Sequence, residues 1–208
     1  MRKVAPYLNF YIFWRLTMLH KGVKPTAVWW RNVQAGEFYN IEREPRLKGG
    51  GGSLYIEIPK SMVRQTLEFL GKDIDTLQSD TSPIKIKAKV LKDPSKEEYI
   101  EFHTKNAGRM RIARQNRKQK NSLRHPAWSS AYGFPEAPEG LPNIKAAYMD
   151  YFPKGGLRIY IVKASDGTYY AGYTSGPRPE GLEENNPNLF LYPTTNEPGG
   201  LIKFSEEN

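Results

Sequence analysis

The chain has 208 residues, 38% of them hydrophobic and 12% aromatic, which is enough apolar mass for a core and excludes wholesale disorder. It has no cysteine, which excludes disulfides, thiolate metal sites and cysteine nucleophiles, and its three histidines leave little for a zinc site. Its 31 Lys and Arg against 22 Asp and Glu give a formal net charge of +9, which points to an anionic partner, nucleic acid or a membrane surface.

No run of 18 apolar residues is present. The opening MRKVAPYLNFYIFW has a basic start, but Pro6, Asn9 and Arg15 interrupt it and no small-residue cleavage site follows. The expectation is a cytoplasmic protein without membrane association, organised as one domain over residues 1–208.

Residues 8–20 (LNFYIFWRLTMLH) are apolar and aromatic without a clean period and fit a helix or a buried strand. Val28 to Trp30 form another buried piece. Four glycines, residues 49–52, and Ser53 lead into Leu54–Ile58, whose alternation puts Leu54, Ile56 and Ile58 on one strand face. Pro59 ends that strand and opens a helix over Lys60–Leu70, with Met62, Val63, Leu67 and Leu70 as its apolar stripe and Gly71 as its cap. Ile84, Ile86, Ala88 and Val90 alternate with Lys85, Lys87 and Lys89, the period of a strand. Asp93-Pro94-Ser95 reads as a turn and Glu98–Thr104 as the returning strand.

The basic charge is local. Between Lys105 and Arg124 stand Lys105, Arg109, Arg111, Arg114, Arg117, Lys118, Lys120 and Arg124, with no acidic residue among them. An acid-free stripe of this kind suits a surface that tracks phosphates, and the bland alternative is a solvated loop. Residues 121–143 are rich in Pro, Ser and Gly and read as an ordered loop anchored by Trp128, Tyr132 and Phe134. Gly156–Ala164 (GLRIYIVKA) is a strong strand, Asp166-Gly167 a hairpin turn, and Thr168–Tyr173 the return. Residues 177–208 carry five prolines and short strands at Leu189–Tyr192 and Leu201–Phe204. Many short strands with one or two helices predict a mainly β fold, a barrel or sandwich with helical plugs.

Enzyme readings fit less well. Ile159-Tyr160-Ile161 with Tyr169-Tyr170-Ala171-Gly172-Tyr173 looks like the opening of a GIY-YIG nuclease, but Arg178 is followed by proline-broken sequence rather than a helix. Glu57-Ile58-Pro59-Lys60 has one residue too many for a magnesium-binding Glu-x-Lys strand. The glycines at 49–52 lack the Gly-Lys-Ser/Thr of a phosphate loop. His103 and His125 have no nucleophile or base beside them. No catalytic and no metal residues are therefore expected in the chain.

Three stretches together resemble the N-terminal effector-binding domain of EcoRII-type restriction endonucleases, which are type IIE. They are GGGSLYIEIPKSM from Gly50 to Met62, the hairpin of Ile84–Val90 with Glu98–Phe102, and the basic segment Thr104–Lys118 (TKNAGRMRIARQNRK). GLRIYIVKA is a fourth, weaker match, and the resemblance runs from about Phe38 to Tyr173. It implies a seven- to eight-stranded open DNA-binding pseudobarrel, related to plant B-three domains, with its core at about 38–175. Residues 176–208 then form an extension towards a nuclease domain. Two arms grip the major groove at a site like CC(A/T)GG. The first, about Phe38–Ser53, offers Arg43, Arg46, Lys48 and Ser53. The second offers Lys105, Asn106, Arg109, Arg111, Arg114, Gln115, Arg117 and Lys118. Gln115 and Ala113 stand where the family has arginine and glutamate, and Glu42 stands for a family lysine. The implied partner is double-stranded DNA, bound by a monomeric domain that needs no cofactor, with Mg²⁺ left to the parent nuclease. The alternatives are a complete small GIY-YIG-like nuclease and a non-specific basic nucleic-acid-binding protein.

Overall fold

The computed structural model describes residues 24–33, 55–74, 83–91, 93–105, 108–113, 150, 152–175 and 197–204. Within them lie eight strands: β1 (Pro25–Val33), β2 (Tyr55–Ile58), β3 (Ile84–Val90), β4 (Asp93–Lys105), β5 (Arg109–Ala113), β6 (Leu157–Ala164), β7 (Tyr169–Ser175) and β8 (Gly199–Lys203). One helix, α1 (Lys60–Phe69), follows β2. The strands form one sheet in the order β2-β5-β4-β3-β7-β6-β1-β8. All neighbours are antiparallel except β3 and β7, which pair in parallel at Ala88↔Tyr169 to Val90↔Ala171. This is a curled, open, mainly β half-barrel with a single short helix among the described residues, as a pseudobarrel requires.

One face of the sheet and the inner face of α1 enclose the main core. Trp29, Phe102, Ile56, Ile112, Met110, Leu157 and Ile159 are all essentially inaccessible there. Trp29 meets Phe102 edge to face at 6.0 Å between centroids, a favoured aromatic geometry. Its indole Nε1 donates to Thr66 Oγ1 at 2.9 Å, and that hydroxyl donates to the Met62 carbonyl at 2.8 Å, so both buried polar groups are satisfied. The helix buries Met62, Val63, Thr66, Leu67 and Phe69, and Leu70 follows as its C-cap. A Cβ on Gly199 of β8 would stand 2.5 Å from the Trp30 carbonyl of β1 and would crowd the end of the Met62 side chain, so only glycine fits there.

A second cluster covers the other face of the sheet: Val28, Trp30, Tyr160, Val162, Ala164 and Tyr170. β1 is therefore buried on both faces between β6 and β8, which explains its continuous apolar run, and it extends well beyond Val28–Trp30 on both sides.

Two expectations need correction. Asp93-Pro94-Ser95 is not the hairpin turn, because β4 already begins at Asp93 and pairs Asp93 with Val90 across a register shift. Local turn chemistry is present, since Ser95 Oγ donates to Asp93 Oδ1 at 2.5 Å. It is absorbed into the irregular end of a strand, where β5 does not reach and the missing proline N–H removes no ladder bond. The basic stripe is not one long loop either. Arg109–Ala113 is a strand, because Met110 and Ile112 have a core to enter. Residues 8–20, 121–143 and 189–192 lie outside the described residues.

Candidate nucleic-acid interface

β4 and β5 form a hairpin closed by the pair Lys105↔Arg109. Gly108, immediately before β5, has φ 65°, the left-handed region that ends short hairpin loops and that glycine enters without penalty. Along β5 the side chains alternate. Met110 and Ile112 point into the core, and Arg109 and Arg111 point outward. Packing thus fixes the facing of each basic residue on this strand, and Arg109 is exposed.

The register extends this outward face across four strands. Arg111 lies between Glu57 of β2 and His103 of β4. Glu101, two residues from His103, lies opposite Lys85 of β3. Lys85 Nζ approaches Glu101 Oε1 at 2.9 Å, and His103 Nε2 approaches Glu101 Oε2 at 3.4 Å. Burial pushes the Glu101 carboxyl up, but the hydrogen bonds and charges of Lys85 and His103 outweigh it and hold it below the usual carboxylate range. Further along, Glu97 pairs with Lys87; the hydrogen bond between them raises the lysine and lowers the glutamate. Exposed pairs like this contribute little stability. Their effect is to neutralise the β3–β4 part of the face. Among the described residues no carboxylate is ion-paired with Arg109.

The opposite end of β5 is also informative. Ala113 pairs with Tyr55, the first residue of β2. The chain therefore enters β2 and leaves β5 at the same corner of the sheet. From Arg109 to Ala113 the strand spans about 14 Å at ~3.4 Å per residue.

Of the expected DNA-contacting residues, the structure brings Lys105, Arg109 and Arg111 together on one hairpin. Arg43, Arg46, Lys48, Ser53, Asn106, Arg114, Gln115, Arg117 and Lys118 lie outside the described residues. The sequence reading missed the polar row through Glu57, Arg111, His103, Glu101 and Lys85. The period of two in Arg109-Met110-Arg111-Ile112 marks a strand inside the basic run, but not which residues of β2 and β4 stand beside it.

Other concentrations of chemistry are structural. Arg158 is 1% exposed; its Nε donates to Asn32 Oδ1 at 2.7 Å and its guanidinium lies 3.9 Å over the Trp30 ring. Burial lowers its pKa to about 10, against a raising effect from Glu197. Tyr160 and Tyr170, on the β6–β7 hairpin, are buried in the second cluster, and the Tyr160 hydroxyl donates to the Tyr173 carbonyl at 3.3 Å. Glu57 is on β2 whereas Lys60 starts α1, so the two do not share a strand. Among the described residues no group of three or more His, Asp or Glu side chains is placed to hold a metal ion, and no helix is long and apolar enough to cross a membrane.

No protein-family model matches the chain, and no curated protein matches it. Among solved structures it is similar to the B3 domain of the UbaLAI restriction endonuclease, crystallised with cognate DNA. The TM-score is 0.42, with 10% identity over 82% of this chain and 81% of that one.

Proposed function

We propose that this chain is a sequence-specific reader of double-stranded DNA that enters the major groove with two arms. The supporting observation is the hairpin. Packing of Met110 and Ile112 holds Arg109 and Arg111 outward from a rigid sheet, next to the Lys105–Arg109 turn and within an acid-free run that continues to Arg124. The strand's span of about 14 Å is close to the ~12 Å width of the major groove.

In this reading the hairpin and Arg114–Lys118 form one arm, and Phe38–Ser53, with Arg43, Arg46, Lys48 and Ser53, forms the other. Arginine forks on guanine O6 and N7 supply about 1–3 kcal/mol of discrimination each, Gln115 reads adenine, and the remaining cations hold phosphates. The resemblance to EcoRII-type enzymes points to a CC(A/T)GG-like target. It also points to a role as the recognition or effector domain of a type II restriction endonuclease, monomeric and cytoplasmic, with Mg²⁺ chemistry carried elsewhere in the parent protein.

Selection from a random duplex library with the 208-residue chain, without metal, tests this. Enrichment of a short defined site is expected. Recovery of unrelated sequences after repeated rounds would leave only non-specific binding and overturn the reading.

A further inference from the structure

We propose that His103 is an additional DNA-binding residue of this face and acts in its protonated form. The inference rests on the DNA-recognition reading above and adds to it a residue and a proton. His103 is on β4, two residues before Lys105 and about 7 Å from it along the strand. Across the ladder it stands opposite Arg111. Its side chain is a quarter exposed, and Nε2 lies 3.4 Å from Glu101 Oε2. A ring held in this way is pre-oriented, so less side-chain freedom is lost on binding than with an exposed lysine.

The groups around it determine what its proton does. On β4 it has Glu101 and Lys105, on β5 Arg109 and Arg111, on β2 Glu57, and on β3 Lys85 beyond Glu101. Those four cations and two carboxylates give the face a charge of +2 with His103 neutral and +3 with it charged. Glu101 favours the imidazolium and the nearby arginines and lysine oppose it. A backbone phosphate brought against Lys105, Arg109 and Arg111 removes part of that opposition, so DNA and proton bind with positive coupling. An ordinary imidazole titrates near 6.5, so the coupling falls where a modest pH change moves it.

The test is duplex affinity by fluorescence anisotropy from about pH 5.5 to 8.0 at constant ionic strength, for the wild-type chain, His103→Gln and His103→Arg. Wild-type affinity is expected to rise as pH falls, by at most about tenfold per unit for a single proton. His103→Gln should be nearly flat near the weak, high-pH value, and His103→Arg flat near the strong, low-pH value. A His103→Gln chain that keeps the wild-type pH dependence overturns the proposal. Should that variant fail to fold, the ring resonances of His103 in the wild-type chain decide: their titration midpoint must rise when DNA is added, and an unchanged midpoint is a refutation. Failure of the wild-type chain to bind any duplex at any pH would instead remove the DNA-recognition reading, and this proposal with it.

Discussion

Arg31 of β1 donates two hydrogen bonds to the main-chain carbonyl of Glu57 on β2, from Nε at 3.0 Å and from Nη2 at 2.7 Å. A third bond, from Nη1, goes to the Asn32 carbonyl. β2 ends the sheet on one side and β1 is next to last on the other, so the guanidinium ties two distant strands across the open side of the half-barrel. Glu57 is also the first member of the polar row that continues to Arg111 and His103. The core thereby fixes the height of one end of the candidate DNA face.

Arg31→Ala should therefore destabilise the fold by about 1.5–3 kcal/mol, the range for hydrogen bonds to charged groups, with the Glu57 carbonyl left unpaired. Arg31→Lys should recover only part of this, because an ammonium cannot reproduce the fork. Urea unfolding measures it. An unchanged midpoint for both variants would show that the link is idle.

Gly108 is left-handed, and a Cβ there would meet nothing within 4 Å. The expected cost of Gly108→Ala is thus backbone strain alone, about 1–2 kcal/mol, and Gly108→Asn should cost less. Since the strain falls at the hairpin that carries Arg109 and Arg111, DNA affinity should fall with Ala and largely return with Asn. Thermal unfolding read beside binding separates the two effects.

Glu101 gives a pH dependence in acid. Its folded-state pKa is depressed, so its contribution to stability is present above the ordinary carboxylate range and is lost as pH falls through the folded pKa. Glu101→Gln should flatten that limb of the stability–pH curve by lowering stability at neutral pH, where the charged partners Lys85 and His103 lose their carboxylate, and should leave the acid end nearly unchanged. Identical acid limbs for the two proteins would contradict the paired geometry with Lys85 and His103.

Salt dependence separates phosphate contacts from base contacts. With about five cations on phosphates, the logarithm of affinity should fall with the logarithm of salt at a slope near −4 to −5. Arg111→Ala and Arg114→Ala should cost cognate preference, about 1–3 kcal/mol each if the arginine forks a guanine. A residue that only holds phosphate would instead lower the slope by about one and weaken all duplexes alike.

Much of the fold can be read from period and punctuation. Pro59 and Gly71 bracket α1, the alternations of β2 and β3 have one core to fill, and the continuous apolar run of β6 fills both clusters. The turn at Asp93 misled because local Asx chemistry is real, but the sheet register overrides it. β5 was obscured because a basic composition outweighed its period-two pattern. The row through Glu57, Arg111, His103, Glu101 and Lys85 depends on how β2, β5, β4 and β3 align, and no local sequence signal sets that alignment.

The proposal that this chain reads DNA sequence has a direct test. Fluorescence anisotropy of the 208-residue chain with a short duplex bearing CC(A/T)GG, against a scrambled duplex, tests it at two salt concentrations without metal. A preference of about tenfold or more, about 1.4 kcal/mol, that survives the higher salt is expected. Equal binding to both duplexes that disappears as salt rises would contradict recognition of that site and leave only a basic surface that adheres to DNA.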